Sequence, residues 1–134
     1  MKQVINIGLL GMGTVGGGVV QVITGNAANI QLKVGIPVKI KTILERNPER
    51  IKSINTGDAI ITSDIQDILN DSDIDIVVEL IGGEKPAVDF ILQALKAGKH
   101  VVTANKDVIA KYGRELFEAA EANGVDLMFE ASVG

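Results

Sequence analysis

The chain has 134 residues and a formal net charge of -4, with acidic and basic side chains interspersed and no basic run. It contains no cysteine, which excludes disulfides and thiolate chemistry, and nothing in its charge pattern favours nucleic acid or an anionic membrane as a partner. The length suits one domain with a sizeable core. No apolar stretch approaches the ~20 residues of a membrane span, so we expect a cytoplasmic location without signal peptide or span.

The first half of the chain alternates predicted strands with predicted helices. The short third strand precedes a helix that Ser63 or Asp64 can cap. The predicted elements are a strand at 4–10, a helix at 14–24, a strand at 38–44 opened by Pro37, a loop at 46–58, a strand at 59–62 and a helix ending at 69.

The second half repeats the alternation and ends on a sixth strand. Its predicted elements are a strand at 74–81, a helix from Pro86 to Gly98, a strand at 100–103, a helix at 107–123 broken near Tyr112-Gly113, and a strand at 125–129. This alternation predicts an α/β fold with a doubly wound, mostly parallel sheet of the Rossmann type, and the strand order 3-2-1-4-5-6.

A glycine motif, Gly11-Met12-Gly13-Thr14-Val15-Gly16, directly follows the first strand. Gly11 permits the tight turn, Gly13 leaves room for a pyrophosphate, and Gly16 allows close packing of the helix, whose terminal amides attract phosphate. With a strand before it and an apolar helix after it, the motif predicts dinucleotide binding. The alternative is a strand-to-helix turn that needs glycine for its shape alone.

Charged residues follow the second strand, where many dinucleotide-binding domains bind the adenine ribose. Glu45 would hold the ribose hydroxyls and favour NAD, whereas Arg46 or Arg50 would pair with the 2′-phosphate of NADP. The two interpretations oppose each other. A third alternative is that all three are solvated charges on a surface turn.

The fourth strand carries a carboxylate, Glu79, shortly before Gly82 and Gly83. A carboxylate in an apolar strand is costly unless it is paired or faces a cleft. We therefore expect Glu79 to have a structural or cofactor-side role rather than to act as a general base. The two glycines let the backbone approach a ligand, or serve a turn.

The stretch Thr103-Ala104-Asn105-Lys106 ends the fifth strand at the same edge of the sheet as the glycine motif. A lysine there can protonate a substrate carbonyl or hold a carboxylate as hydride arrives from a nicotinamide, although most lysines are solvated surface residues. His100 starts that strand at the opposite edge, so we predict a surface position for it. One histidine and no cysteine make a transition-metal site improbable.

Together these segments resemble the amino-terminal part of the homoserine dehydrogenase family. The similar stretches cover 7–16, 77–83, 94–106 and 129–134, and the likeness extends over essentially the whole chain. Thr103-Ala104-Asn105-Lys106 and the closing Glu130-Ala131-Ser132-Val133-Gly134 are much more specific than the glycine motif.

The resemblance implies reversible conversion of L-aspartate 4-semialdehyde to L-homoserine with NAD(P)H, on the route to threonine and methionine. By the same resemblance, Lys106 is the catalytic lysine of this domain, and Glu130 with Val133 matches positions that bind a monovalent cation, Na⁺ or K⁺. The family's second lysine, its acidic substrate-binding residues and most of its dimer interface lie in a following domain that residues 1–134 lack. The parent enzyme is thus predicted to be a homo-oligomer, and this chain alone to bind cofactor but turn over little.

Between the two cofactors the sequence favours NADP without deciding the matter. The full predicted cofactor-binding set is Gly11, Met12, Gly13, Thr14, Val15, Gly16, Glu45, Arg46, Arg50, Gly82, Gly83, Thr103, Ala104, Asn105 and Lys106. Two alternatives remain open: the cofactor domain of another two-domain amino-acid or sugar reductase, and a non-catalytic nucleotide-sensing module.

Overall fold

A computed structural model describes residues 4–11, 38–47, 49 and 57–129 of the chain. The helix predicted at 14–24 and most of the loop at 46–58 lie outside these residues. The described elements are β1 (Ile5–Leu10), β2 (Val38–Leu44), β3 (Ile60–Thr62), α1 (Gln66–Leu69), β4 (Ile74–Glu79), α2 (Ala87–Lys96), β5 (His100–Thr103), α3 (Lys106–Ala122) and β6 (Leu127–Phe129).

The described strands form one six-stranded sheet in the order β3-β2-β1-β4-β5-β6, and every pairing is parallel. This confirms the predicted fold class and strand order. The register aligns the last residues of the strands in one row across the sheet, namely Thr62, Leu44, Leu10, Glu79, Thr103 and Phe129. All six strands therefore end at a common carboxyl edge, where open α/β sheets bind ligands.

The chain has only three phenylalanines, one tyrosine and no tryptophan, and mainly aliphatic side chains cover both faces of the sheet. Successive strand residues point to opposite faces, so Leu10 and Val77 join one core cluster while Leu9 and Val78 join the other. The first cluster lies under α2 and α3 and includes Leu95. Burial on both faces explains why these strands are continuous apolar runs rather than alternating ones.

The helix α3 runs unbroken from Lys106 to Ala122, so the predicted break near Tyr112-Gly113 is wrong. Gly113 is buried on the same side of the helix as Leu116 and Ala120, and α3 as a whole packs against α2. A β-carbon at position 113 would have Cγ2 of Ile109, on the same helix, as its only neighbour within 4 Å, at 3.6 Å. The helix therefore tolerates the ~1 kcal/mol that an interior glycine costs, and no close contact at this position requires glycine.

β1 and β3 begin one residue later than predicted, and β4 and β6 are each two residues shorter because backbone groups are used elsewhere. β4 ends at Glu79 because the amides of Ile81 and Gly82 donate to the Glu79 carboxylate, which turns the chain out of the sheet. β6 starts at Leu127 because the Val125 amide donates to the Ala120 carbonyl and so belongs to the end of α3.

The short helix α1 packs closely on β1. Of the two predicted capping residues, Asp64 supplies the bond, because its Oδ1 accepts the Gln66 amide at 2.9 Å. A β-carbon on Gly8 would lie 2.7 Å from Cγ2 of Ile68, so glycine at that position lets α1 sit against the strand. None of the helices in the described ranges combines the length and apolar character needed to cross a membrane.

Candidate cofactor-binding site

The first glycine of the motif lies at the carboxyl edge, immediately after β1. Gly11 has a φ of +85°, and a β-carbon there would lie 3.1 Å from Cα of Ile81. Its amide donates to the Leu44 carbonyl at 2.9 Å, which keeps the turn against β2. Glycine is thus required at position 11 for two reasons: its φ is positive, and the backbone of Ile81 in the turn after β4 lies too close for a side chain. Residues 12–16 of the motif lie outside the described residues.

The two described residues of the predicted ribose site differ in exposure. Glu45 is 8% exposed, and its Oε2 accepts the Asn47 amide at 3.1 Å. Arg46 is exposed to solvent on the same turn. Because one oxygen of Glu45 already accepts a hydrogen bond from its own turn, fewer acceptor positions are left for the ribose hydroxyls than the sequence predicts. Arg50 lies outside the described residues.

Glu79 is fully buried at the carboxyl end of β4. Its Oε2 accepts the Ile81 amide at 2.8 Å and the Gly82 amide at 3.4 Å, while its Oε1 accepts the Thr103 hydroxyl at 2.5 Å. These donors satisfy the buried carboxylate, which would otherwise be costly. The contacts agree with the structural or cofactor-side role expected for this residue.

The end of β5 and the start of α3 continue the same hydrogen-bonded set. Thr103 Oγ1 accepts the Asn105 amide at 3.0 Å, and Asn105 Oδ1 caps α3 by accepting the Val108 amide at 3.1 Å. Asn105 Nδ2 donates to the Gly83 carbonyl at 2.6 Å. Because this last bond returns to the turn after β4, the set closes on itself. We call Glu79, Thr103, Asn105 and the turn at 80–83 the edge ring.

The ring leaves three of the predicted site residues facing solvent. Gly82 and Gly83 have φ angles of +81° and +70°, and a β-carbon on either would have no neighbour within 4 Å. Lys106, the first residue of α3, is exposed directly after the buried Asn105. We call the turn that contains Gly82 and Gly83 the glycine turn. The structure thus places the glycine turn and Lys106 after two neighbouring strands, β4 and β5, at the same edge of the sheet.

A nicotinamide dinucleotide fits the residues that the structure does place. Gly11, Gly82 and Gly83 all lie at the carboxyl edge, and a β-carbon on either of the last two would meet no atom within 4 Å. Positive φ at these three glycines means that other residues would be strained there. Glycine at the carboxyl ends of neighbouring parallel strands is compatible with a dinucleotide bound across that edge.

Other predicted positions lie away from this edge or outside the described residues. His100 starts β5 at the opposite edge, half exposed, and its Nδ1 accepts the Asp126 amide at 3.0 Å, so the predicted surface position is confirmed. The cation-site residues Glu130 and Val133 are outside the described ranges. Within those ranges no group of three or more histidine, aspartate or glutamate side chains is placed to hold a metal ion.

Sequence reasoning missed the pairing of Glu79 with Thr103. A signal for it existed, because both residues end predicted strands, and the register makes them direct neighbours. It also missed Lys99, which is 4% exposed and donates through Nζ to the carbonyls of Asp71 and Ile74 at 2.8 and 2.9 Å. The sequence carries no signal for that burial, since a lysine after a helix-ending glycine is ordinarily solvated.

Comparison with known proteins gives one consistent family. A family model described as the NAD-binding domain of homoserine dehydrogenase matches residues 11–130. The homoserine dehydrogenase of Bacillus subtilis is 43% identical over 131 residues, which are 98% of this chain and 30% of the relative. The homoserine dehydrogenase of Synechocystis is 45% identical over 130 residues, 97% of this chain and 30% of the relative.

Solved structures agree in fold. The chain superposes on homoserine dehydrogenase from Staphylococcus aureus with a TM-score of 0.89 and 45% identity, over 98% of this chain and 33% of that one. The enzyme from Thiobacillus denitrificans gives a TM-score of 0.90 at 46% identity, over 96% of this chain and 30% of that one. The chain thus spans about a third of the length of these relatives.

Proposed function

We propose, from the premise that this chain belongs to the homoserine dehydrogenase family as its NAD-binding domain, that it serves an enzyme interconverting L-aspartate 4-semialdehyde and L-homoserine. The chain spans 30% of the Bacillus subtilis relative, so the reaction is proposed for a longer protein. In that protein a second domain supplies the substrate-binding residues and most of the subunit interface, and residues 1–134 form the cofactor domain.

One observation carries the proposal: Gly11, the glycine turn and Lys106 meet at the carboxyl ends of β1, β4 and β5, which are neighbours in the sheet. The cofactor, when bound, supplies or accepts the hydride. Gly11, with the rest of its motif at 12–16, binds the pyrophosphate, and Gly82 with Gly83 borders the nicotinamide end. Thr103, Ala104 and Asn105 form the wall of the site behind Lys106.

Lys106 is the group that we propose to transfer a proton at the aldehyde oxygen. Its side chain is exposed at the edge, while the capped start of α3 holds its backbone. A positioned general acid contributes about 10²- to 10⁴-fold to the rate. The task is to give the oxygen a proton as hydride arrives at the carbon, and to take it back in the reverse direction.

We further propose that NADP is preferred to NAD. The Glu45 carboxylate is buried and accepts the Asn47 amide, whereas the guanidinium of Arg46 is exposed beside it and can pair with a 2′-phosphate. Arg50, four residues further on, is a second candidate for the same phosphate. A monovalent cation, Na⁺ or K⁺, at Glu130 and Val133 remains a proposal that rests on the resemblance alone.

Titration of the chain with NADPH and NADH tests cofactor binding directly. The chain contains no tryptophan, so nicotinamide fluorescence is measured against little protein background. We expect NADPH to bind at least about tenfold more tightly than NADH, equivalent to one charge-assisted contact of ~1.4 kcal/mol. Tighter binding of NADH would assign the ribose to Glu45, and absence of binding by both at millimolar concentration would contradict the cofactor site in this chain.

A matched pair of variants identifies the phosphate contact. Arg46→Gln is expected to weaken NADPH about tenfold and leave NADH unchanged, because only the 2′-phosphate is lost as a partner. Arg114→Gln is the control, since that guanidinium is 93% exposed on α3 and pairs with Glu118 on its own helix. Equal effects of the two substitutions would contradict the role of Arg46.

The reaction itself is tested in the full-length protein that carries this chain. L-homoserine with NADP⁺ is expected to give NADPH, followed by nicotinamide absorbance, whereas small hydroxy acids and sugars are not expected to react. Turnover of one of those other substrates in place of homoserine would support another two-domain reductase. Cofactor binding without turnover of any of them would support a nucleotide-sensing module.

A further inference from the structure

The edge ring contains a buried carboxylate that the proposed reaction does not use. Glu79 is 0% exposed, and its known partners are the hydroxyl of Thr103 and two backbone amides. Among the described residues, no lysine or arginine forms an ion pair with it. Both oxygens of the carboxylate act as acceptors for these donors, and together they close the ring.

Each hydrogen bond at Thr103 has a defined donor and acceptor. The Thr103 hydroxyl donates its single proton to Glu79 Oε1 and accepts the Asn105 amide on its oxygen. An amide in place of the carboxylate would put an NH₂ group either against the two backbone amides or against the hydroxyl. In the first case donors face donors, and in the second the hydroxyl loses its acceptor. Only the carboxylate accepts hydrogen bonds on both sides, so the isosteric amide of glutamine would not close the ring.

The edge ring lies next to Lys106, the residue proposed to transfer the proton. Asn105 is held by Thr103 through its amide, caps α3 through Oδ1 and bonds to Gly83 through Nδ2. Lys106 is the next residue, so its backbone is fixed relative to the glycine turn by these bonds. The two sides of the ring come from different strands, and Glu79 is the group that contacts both.

We propose that Glu79 is a positioning residue, which acts through Thr103 and Asn105 to hold Lys106 at the correct distance from the glycine turn. The inference rests on the proposed function, because it assigns Glu79 to the reaction of Lys106. Loss of the carboxylate lets the start of α3 shift relative to β4 while the glycine motif after β1 is untouched. Since catalysis depends on position more steeply than binding does, the rate falls more than cofactor affinity.

The test is a double-mutant cycle in the full-length protein with Glu79→Gln and Lys106→Met. We expect Glu79→Gln alone to lower kcat about 10- to 100-fold, the effect of a displacement near 1 Å. In the Lys106→Met background the same substitution is expected to lower kcat less than about twofold, because its effect is exerted through the lysine. Equal fold losses in both backgrounds, or an unchanged kcat in the first, would overturn the inference.

Two further measurements do not depend on turnover. The Kd of this chain for NADPH is expected to change by less than about threefold in Glu79→Gln, and amide hydrogen exchange is expected to accelerate at Gly82 and Asn105. Unchanged exchange at both amides would contradict the ring as the positioning device. Glu84→Gln is the matched control, because that carboxylate is in the same loop but is half exposed and pairs with Lys111.

A second variant covers the case in which Glu79→Gln does not fold. Asn105→Asp keeps the oxygen that caps α3 but removes the donor to the Gly83 carbonyl, so it opens the ring on the opposite side. It is expected to lower kcat in the same way, and an unchanged kcat would overturn the inference. If instead Lys106→Met alone leaves turnover intact, the proposed role of Lys106 fails, whatever Glu79 does.

Discussion

The two edges of the sheet both carry buried polar side chains, but they satisfy them differently. At the carboxyl edge, the Glu79 carboxylate is balanced by a hydroxyl and backbone amides. At the amino end of β4, lysines are the partners of the polar groups. Lys99 donates hydrogen bonds to two carbonyls, and Lys41 lies 2.7 Å from Asp71 and 3.5 Å from Asp73. We call Lys41, Asp71, Asp73 and Lys99 the amino-end cluster.

The charges of the amino-end cluster reinforce one another. The hydrogen bond with Lys41 lowers the pKa of Asp71 below its ordinary value of 3.8, and the same bond raises the pKa of Lys41 above its ordinary value of 10.5. Lys41 and Asp71 thus each stabilise the charged form of the other. The cluster joins the loop before β4 to β2 and to the start of β5.

The two ends of the strands are therefore expected to respond differently to substitution. Cation–anion pairs at the amino end of β4 stabilise the fold. At the carboxyl edge, by contrast, one carboxylate holds two segments of backbone while Gly82, Gly83 and Lys106 stay exposed. Substitution of an exposed side chain at the carboxyl edge is therefore expected to change rate or cofactor affinity, and substitution of a charged side chain at the amino end to change stability. Of the four predictions below, those on Lys106, Lys99 and Asp71 test that separation, and the one on Gly11 and Gly82 tests the backbone of the carboxyl edge.

Loss of the exposed lysine is expected to have the largest effect. Lys106→Met in the full-length protein should lower kcat about 10²- to 10⁴-fold through loss of proton transfer. Its side chain is exposed, so the free energy of unfolding of the chain should change by less than about 0.5 kcal/mol. Steady-state kinetics and urea unfolding measure the two quantities. Lys96→Met, at the exposed end of α2, is the control, and a similar loss of kcat there would remove the contrast.

Loss of the buried lysine is expected to do the reverse. Lys99→Met leaves two buried carbonyls without their charged donor, which should lower the free energy of unfolding by about 2–4 kcal/mol. Where the variant is folded, its Kd for NADPH should equal that of the wild type. Lys39→Met, exposed on β2, provides the comparison for the loss of a charge alone. A large change in Kd with little change in stability would reverse the assignment of the two edges.

Alanine substitution of the glycines at the carboxyl edge is expected to lower stability by different amounts, depending on the atoms around each glycine. Gly11→Ala and Gly82→Ala both force a positive φ on alanine, which costs roughly 1–2 kcal/mol. Gly11→Ala also brings a methyl group within 3.1 Å of the Ile81 backbone, whereas position 82 is open. Urea unfolding of the two variants in parallel should therefore show the greater loss for position 11. Equal losses would mean that the turn after β4 moves aside without cost.

The smallest effect is expected from the Lys41–Asp71 ion pair. The folded-state pKa of Asp71 is lowered, so the unfolded chain takes up the proton first, and the contribution to stability is lost as pH falls through the folded pKa. Asp71→Asn should lower stability by no more than about 1 kcal/mol at neutral pH. The difference from the wild type should shrink as the pH falls below the ordinary aspartate pKa of 3.8 and vanish once the pH is below the lowered pKa of folded Asp71. Urea unfolding across this range tests it, and a difference that is constant with pH would show that charge is not its cause.

Much of the fold and part of the site could be predicted from the sequence. The strands at 38–44 and 100–103 have the predicted bounds, and the strand order is the predicted one. Gly11 lies where the motif requires, at the end of β1. The prediction failed at Gly113, because glycine ends helices by its local preference, whereas here it is a buried residue inside the continuous helix α3. Local preference cannot show which face of a helix a neighbour will cover.

The sequence by itself determined the alternation of strands and helices, the aliphatic core and the edge at which the predicted cofactor-binding residues lie. Those features follow from local periodicity, from glycine at turns and from the parallel direction of successive strands. The tertiary structure alone decided the closure of the edge ring and the burial of Lys99. Both depend on partners more than 20 positions apart, such as Glu79 with Thr103 and Lys99 with Asp71. Although Glu79 and Thr103 both end predicted strands, only the strand register and the packing bring their side chains into contact.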